Sequence, residues 1–288
     1  MLNIKKILLP VDFPSPPMRV TRQAAALARH FRAEIVMLEV LTPLGSTSGI
    51  AQRGLERAGL DEDEEIIREG QKKVDEALGP ELKGFAIRRV VSKGDPGVAI
   101  VQMAQREKAD LIMMPAYGHA FDQFLVTSIT PKMLSGNECP VWTDCNGEDS
   151  PVQNFGVGNI LCAVDFKPHS HKSAQWAAQM AAEFGARLTL VHVTAGVEFW
   201  GPGGRYVNQR WKAALVSNAS QEMSRLLHET SIKAEVVIGS GSLTKVLSQT
   251  AKQKKADLLI TGCQSYGGYL RTHGYAILSQ MSVPVLSV

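Results

Sequence analysis

The chain reads as two doubly wound α/β domains in tandem, each a five-stranded parallel sheet with helices on both faces. Two observations point there. Apolar runs of strand length alternate with segments of helical period along the whole chain. The order of those segments also occurs twice: Lys108–Ile112 (KADLI) returns as Lys255–Leu259 (KADLL), and Ile7–Asp12 (ILLPVD) returns as Ile160–Asp165 (ILCAVD). Repetition at about half the chain length is the mark of a duplicated domain. At 288 residues each half is long enough to bury its own core.

In the first half, the later part of Ile4–Val11 suits a central parallel strand, closed by Asp12. Three prolines in Phe13–Pro17 rule out regular structure there. Val20, Ala24, Leu27, Ala28 and Phe31 repeat at helical period, so Met18–Phe31 is expected to be a helix, followed by a strand over Glu34–Leu41. A loop over Gly45–Gly54 leads into a charged helical stretch ending near Leu78, and Gly79-Pro80 stops it. A third strand is expected over Phe85–Val91. Gly94-Asp95-Pro96 then opens a helix with Pro96 in its first turn. A strand over Asp110–Met114, a glycine-bearing loop, a helix over Ser128–Leu134 and a short strand over Pro140–Thr143 complete the half.

Asn146–Pro151 is polar and poor in apolar residues and reads as the linker, giving domains over 1–146 and 155–288. The second half repeats the order: a strand over Ile160–Asp165, a helix over Ser173–Phe184 and a strand over Arg187–Val193. Gly201–Gly204 reads as a loop before a helix running to about Glu229, with Trp200 and Trp211 beside it. They read as gate or core residues; core is the reading for Trp211, because Leu215 lies four residues on. Strands over Val236–Ile238, Leu258–Gly262 and Val283–Val288 close the chain, with Gly239–Ser242 opening a helix in a pattern that resembles an anion nest, although a tight strand-to-helix turn is the favoured reading.

The composition narrows the classes. A net charge of +3, with lysines and arginines scattered, does not argue for nucleic acid as a partner. No apolar run approaches the length that crosses a bilayer, so no membrane partner is expected. The opening MLNIKKILLPVDF is too short for a secretory core and lacks a small-residue cleavage site, so the expected location is cytoplasmic. Cys139, Cys145, Cys162 and Cys263 form no CxxC pair and read as reduced thiols.

In a doubly wound fold, ligands sit beyond the carboxyl ends of the strands, near the topological switch point. That places Asp12, Val40 and Pro115 in one crevice and Asp165, Val193 and Gly262 in another. The residues that end or follow these strands are Pro10-Val11-Asp12 and Ala163-Val164-Asp165. With the Gly94-Asp95-Pro96 turn, the Ala-Asp-Leu strands at Ala109 and Ala256, and the closing Cys139-Pro140-Val141 and Val283-Pro284-Val285, the chain resembles the universal stress protein (UspA-like) family, in tandem. The resemblance covers nearly the whole length. It implies an adenine nucleotide alpha hydrolase-like fold, a stress-response role, and ATP or another adenine nucleotide as ligand of the first domain. It also implies that the two final strands pair, so that the halves form an intramolecular pseudo-dimer. Further homo-oligomerisation is left open.

Nucleotide-binding members of that family look like Gly-x2-Gly-x9-Gly-Ser/Thr, where glycines let backbone amides reach phosphates. Here Pro115 stands at the first glycine, Gly118 keeps the second, and Thr127-Ser128 replaces the final pair, in a loop one residue short. In the second copy Gly262 is kept, Ser265 replaces the second glycine, and Arg271-Thr272 the final pair, in a loop four residues short. A pair of domains acting through protein interactions, without nucleotide, is therefore the alternative.

Arg271 and His273 read as exposed loop residues that could meet a phosphate by charge. His169 and His171, in the loop after Asp165, read as surface or packing residues, as do His192 and Cys263; no close-spaced motif makes them a zinc set. No nucleophile elbow, P-loop or dinucleotide fingerprint is present, so no catalytic set is read and no enzyme is expected.

Overall fold

The computed structural model describes residues 2–11, 18–41, 72, 82–115, 139–145, 156–196, 198–201, 204–207, 209–262 and 276–288. They fall into two compact units, one over Asn3–Cys139 and one over Gly156–Val288 that also takes in Pro140–Gly147. The helix expected up to Leu78 (apart from Lys72), the helix over Ser128–Leu134 and the linker lie outside the described residues.

The first unit runs β1 (Lys6–Val11), α1 (Met18–Phe31), β2 (Glu34–Leu41), β3 (Ile87–Lys93), α2 (Pro96–Glu107) and β4 (Leu111–Pro115). All its strands are parallel, in the order β3-β2-β1-β4. Ile7, Leu8 and Leu9 of the central β1 are fully buried, as an apolar run flanked on both sides requires. The apolar face of α1 (Val20, Ala24, Leu27, Ala28) covers β1 and β4. The Gly94-Asp95-Pro96 turn is a helix start. Gly94 takes φ +127°, the Asp95 side chain accepts from the Val98 amide at 3.0 Å, and Pro96 stands in the first turn.

In the second unit, β5 (Val141–Asp144) is followed by β6 (Asn159–Ala163), α3 (His169–Phe184), β7 (Arg187–Thr194), β8 (Glu198–Gly201), β9 (Gly204–Val207), α4 (Gln209–Thr230), β10 (Glu235–Ser240), α5 (Leu243–Lys254), β11 (Leu258–Thr261) and β12 (Val285–Ser287). Parallel strands stand in the order β10-β7-β6-β11-β12, repeating the winding of the first unit. β5 then pairs antiparallel with β12, Thr143 opposite Val285 and the fully buried Trp142 opposite Leu286. The two final strands thus pair, as the resemblance implied.

The repeated Lys-Ala-Asp motif proves to be a structural clasp. Lys108 and Lys255 end α2 and α5 in left-handed conformation. Two residues on, Asp110 Oδ2 accepts from the amides of Lys5 and Lys6 at 2.8 and 2.9 Å. Asp257 Oδ2 accepts from those of Gly158 and Asn159, both at 2.8 Å. Each aspartate ties the start of its own strand to the start of the central strand. The clasp lies at the amino ends of the strands, away from the crevice that opens at their carboxyl ends.

Three expectations differ from the structure. α3 begins at His169 rather than Ser173, so His169 and His171 belong to its first turn; Ser170 folds back onto Asp165 and anchors that turn. Gly201–Gly204 closes an antiparallel hairpin, β8 with β9, whose signal was the β-forming Phe199-Trp200 and Tyr206-Val207 on either side of the turn. Trp211 is 52% exposed, because α4 buries only Ala219, Met223 and Leu226, all in its later turns.

Candidate functional site

In the first unit the strand order reverses between β1 and β4, the switch point beyond which ligands bind in folds of this winding. Ile7 pairs with Leu111 and Leu8 with Ile112, a register that brings Val11 level with Pro115. Val11 pairs with Glu39, so Val40 stands one residue further along β2, which runs on to Leu41. Val11 is buried, while Pro10, Val40 and Pro115 are half-buried at the rim. The structure thus brings Pro10, Val11, Val40 and Pro115 together; Asp12, Gly118, Thr127 and Ser128 lie outside the described residues. Sequence reading missed Glu39, a buried carboxylate at the same strand end. Its signal was a lone acid inside the apolar run EIVMLEVL.

The second crevice is occupied by its own chain. Asp165 stands two residues beyond β6, and its Oδ1 accepts from Ser170 Oγ at 2.8 Å and from the Lys167 amide at 3.1 Å. The Asp165 amide donates back to Ser170 Oγ at 3.0 Å. Lys167 Nζ and His169 Nε2 each stand 3.8 Å from Asp165 Oδ2. Next in sequence, Phe166 turns through φ +59° and stacks on His192, with centroids 4.2 Å apart and an interplanar angle of 28°. His192 Nδ1 donates to the Val164 carbonyl at 2.8 Å, which fixes the ring against the end of β6. The stack therefore lies across the ends of β6 and β7, next to Val193.

Gly262, just past β11, serves packing here. A Cβ on it would lie 3.3 Å from Ser173 Oγ and 3.5 Å from His169 Cδ2, so the missing side chain lets α3 approach. Arg271, Thr272, His273 and Cys263 lie outside the described residues. His171 pairs with Glu229 of α4 at 2.9 Å, away from His169 and His192. Among the described residues no three potential ligand side chains gather as a metal would require.

The remaining polar features are structural. Gly239 is bare because a Cβ would meet Val246 Cγ1 at 2.3 Å, and Gly241 at φ +117° donates its amide to the Thr194 carbonyl at 3.1 Å. The Gly239–Ser242 stretch is the tight strand-to-helix turn expected of it. Burial pushes the Cys162 thiol up to about 12 and raises that of Cys145 further, so neither is a nucleophile at neutral pH. No helix among the described residues is long and apolar enough to cross a membrane.

Two units whose parallel strands share one winding, each with a switch point beside its central strand, define a tandem doubly wound α/β protein. The profile of the universal stress protein family matches residues 3–143 and again 156–288. The chain belongs to that family and carries two copies of its domain. A universal stress protein of Methanocaldococcus jannaschii is 25% identical over 142 residues, 48% of this chain and 79% of its own. Universal stress protein A homolog 1 of Coxiella burnetii is 27% identical over 136 residues, 45% of this chain and 94% of its own. Among solved structures, a universal stress protein from Archaeoglobus fulgidus shares the fold over 99% of this chain and 96% of its own, with a TM-score of 0.65 and 19% identity.

Proposed function

We propose that the chain is a cytoplasmic, non-enzymatic stress-response module that binds an adenine nucleotide, ATP among them, in the first unit only. The observation that supports this reading lies at the strand ends of the second unit. At the second, Asp165 is held by Ser170 and Lys167, and Phe166 and His192 cover the strand ends. At the first, Val11 and Pro115 stand level at the ends of β1 and β4, Val40 lies one residue past the partner of Val11, and the counterparts of the covering residues lie outside the described residues. Asp12 and the backbone of Pro10, Val11 and Val40 would meet base and ribose, and Gly118, Thr127 and Ser128 the phosphates. Pro115 offers no amide hydrogen, so the cradle has one donor fewer than a glycine there would give.

Calorimetric titration with ATP tests this. Saturable heat in the parent and in Asp165→Ala, lost in Asp12→Ala, supports it; no heat in the parent, or loss in Asp165→Ala alone, overturns it. The alternative, a domain pair acting through protein interactions without nucleotide, is favoured at the second unit by the same self-occupied crevice.

A further inference from the structure

At the amino ends of the strands, opposite the switch-point ends, each unit carries a charged cluster, and the two clusters are inverted copies. In the first unit four side chains close a ring. Lys6 Nζ lies 3.6 Å from Glu34 and 3.4 Å from Glu107, Arg88 Nε lies 3.4 Å from Glu34, and Arg88 also pairs with Glu107. Two cations and two anions alternate, so the ring is neutral.

The sheet register identifies the counterparts. Lys6 pairs with Glu34 as Asn159 pairs with Arg187, and Val36 pairs with Arg88 as Thr189 pairs with Glu235. Glu107 and Lys254 each end the helix before the repeated Lys-Ala-Asp motif. Every charge that is kept is reversed: Glu34 becomes Arg187, Arg88 becomes Glu235, and Glu107 becomes Lys254. The reversed pairing is intact where its members exist. Lys254 Nζ meets Glu235 Oε2 at 2.6 Å, and with help from Arg187 it holds the Glu235 carboxyl below its ordinary value. The fourth corner breaks the inversion. Where Lys6 should be mirrored by an acid, the chain has the neutral Asn159, and the cluster is left with one excess positive charge.

At that corner there is a cleft of about 290 Å³, lined by Asn159, Arg187, Glu235, Lys254 and Lys255 among others. The first-unit ring shows what the missing member is: a negative charge reached by both flanking cations. We propose that this cleft binds a compact oxyanion, a phosphate or carboxylate group, which closes the second ring between Arg187 and Lys254 and takes a hydrogen bond from the side-chain amide of Asn159. An oxyanion suits the planar donor fork of an arginine better than a halide does. The site is independent of the nucleotide crevice, which lies at the other ends of the strands.

The test follows side-chain resonances of the full chain by NMR during titration with inorganic phosphate, repeated with acetate. The proposal expects saturable shifts of Arg187 Nε–H and the Asn159 side-chain amide. Asn159→Glu supplies the missing corner from the protein, so it should abolish the saturable shift and raise the melting temperature at low salt. Asn159→Gln should retain the shift. Because N159E is expected to be more stable than the parent, loss of binding there is not a folding defect. Shifts that grow without saturating, that persist in N159E, or that appear only at residues of the first unit would overturn the proposal, as would a lowered melting temperature in N159E.

Discussion

Removing an aspartate clasp should cost stability without touching the ligand end of the sheet. In Asp257→Ala the amides of Gly158 and Asn159 lose an acceptor that holds both at 2.8 Å. A hydrogen bond to a charged group contributes about 1.5–3 kcal/mol. Gly158 is exposed and can turn to water, so the lower figure applies to each bond, and the pair sums to about 3 kcal/mol. Asp257→Asn keeps a neutral oxygen in place and should lose about half as much. For a chain of this size, 3 kcal/mol corresponds to a fall of about 6–12 °C in Tm. Urea unfolding at neutral pH reads the difference, and Asp110→Ala, which frees the amides of Lys5 and Lys6, provides the duplicate measurement. ATP affinity should be unchanged in every clasp variant that remains folded. A loss below about 1 kcal/mol in D257A, or an equal loss in D257N, would refute the reasoning.

Three further outcomes are expected. The Cys162 thiol is raised by burial from 9.0 to about 12 in the folded chain, so the folded state holds that proton more tightly than the unfolded one. Its contribution is complete below pH 9.0 and is lost as pH rises towards about 12, with a slope of about 1.4 kcal/mol per unit between; Cys162→Ala should flatten that alkaline limb in unfolding measured against pH. Gly239→Ala sets a Cβ 2.3 Å from Val246 Cγ1 and should destabilise by about 1–3 kcal/mol, partly restored by Val246→Ala in the same chain. A protease site placed between residues 147 and 156 should yield two fragments that co-elute in gel filtration, because β5 pairs with β12; fragments that separate freely would count against that pairing.

The winding was legible because its cause is local. Buried parallel strands must be apolar throughout, as in Ile7–Leu9 and Leu258–Ile260, and helices covering one face must repeat at helical period, as α1 does. Duplication made each half a check on the other. The role of the repeated Lys-Ala-Asp motif was not legible. Nothing in the sequence says that Asp110 and Asp257 reach amides about a hundred residues away, so the repeat marked the duplication without showing the clasp. The start of α3 was missed because Pro168 and two histidines read as loop, whereas the bond from Ser170 to Asp165 anchors the turn. Gly262 looked like a remnant of a phosphate cradle, and only the distances to Ser173 and His169 show it as a packing position. At the first unit's switch point the strand ends Val11 and Pro115 were legible, with Val40 in the last residues of β2, since strand order alone sets them. Buried Glu39 was not, because side-chain burial depends on what covers the strand.

The most direct measurement of the central claim is photo-crosslinking with an azido-adenine nucleotide, followed by peptide mapping. Label confined to peptides of the first unit around Val11 and Val40, and competed away by ATP, is the predicted result. Label around Asp165 and Val193, or label that excess ATP does not displace, would contradict the account.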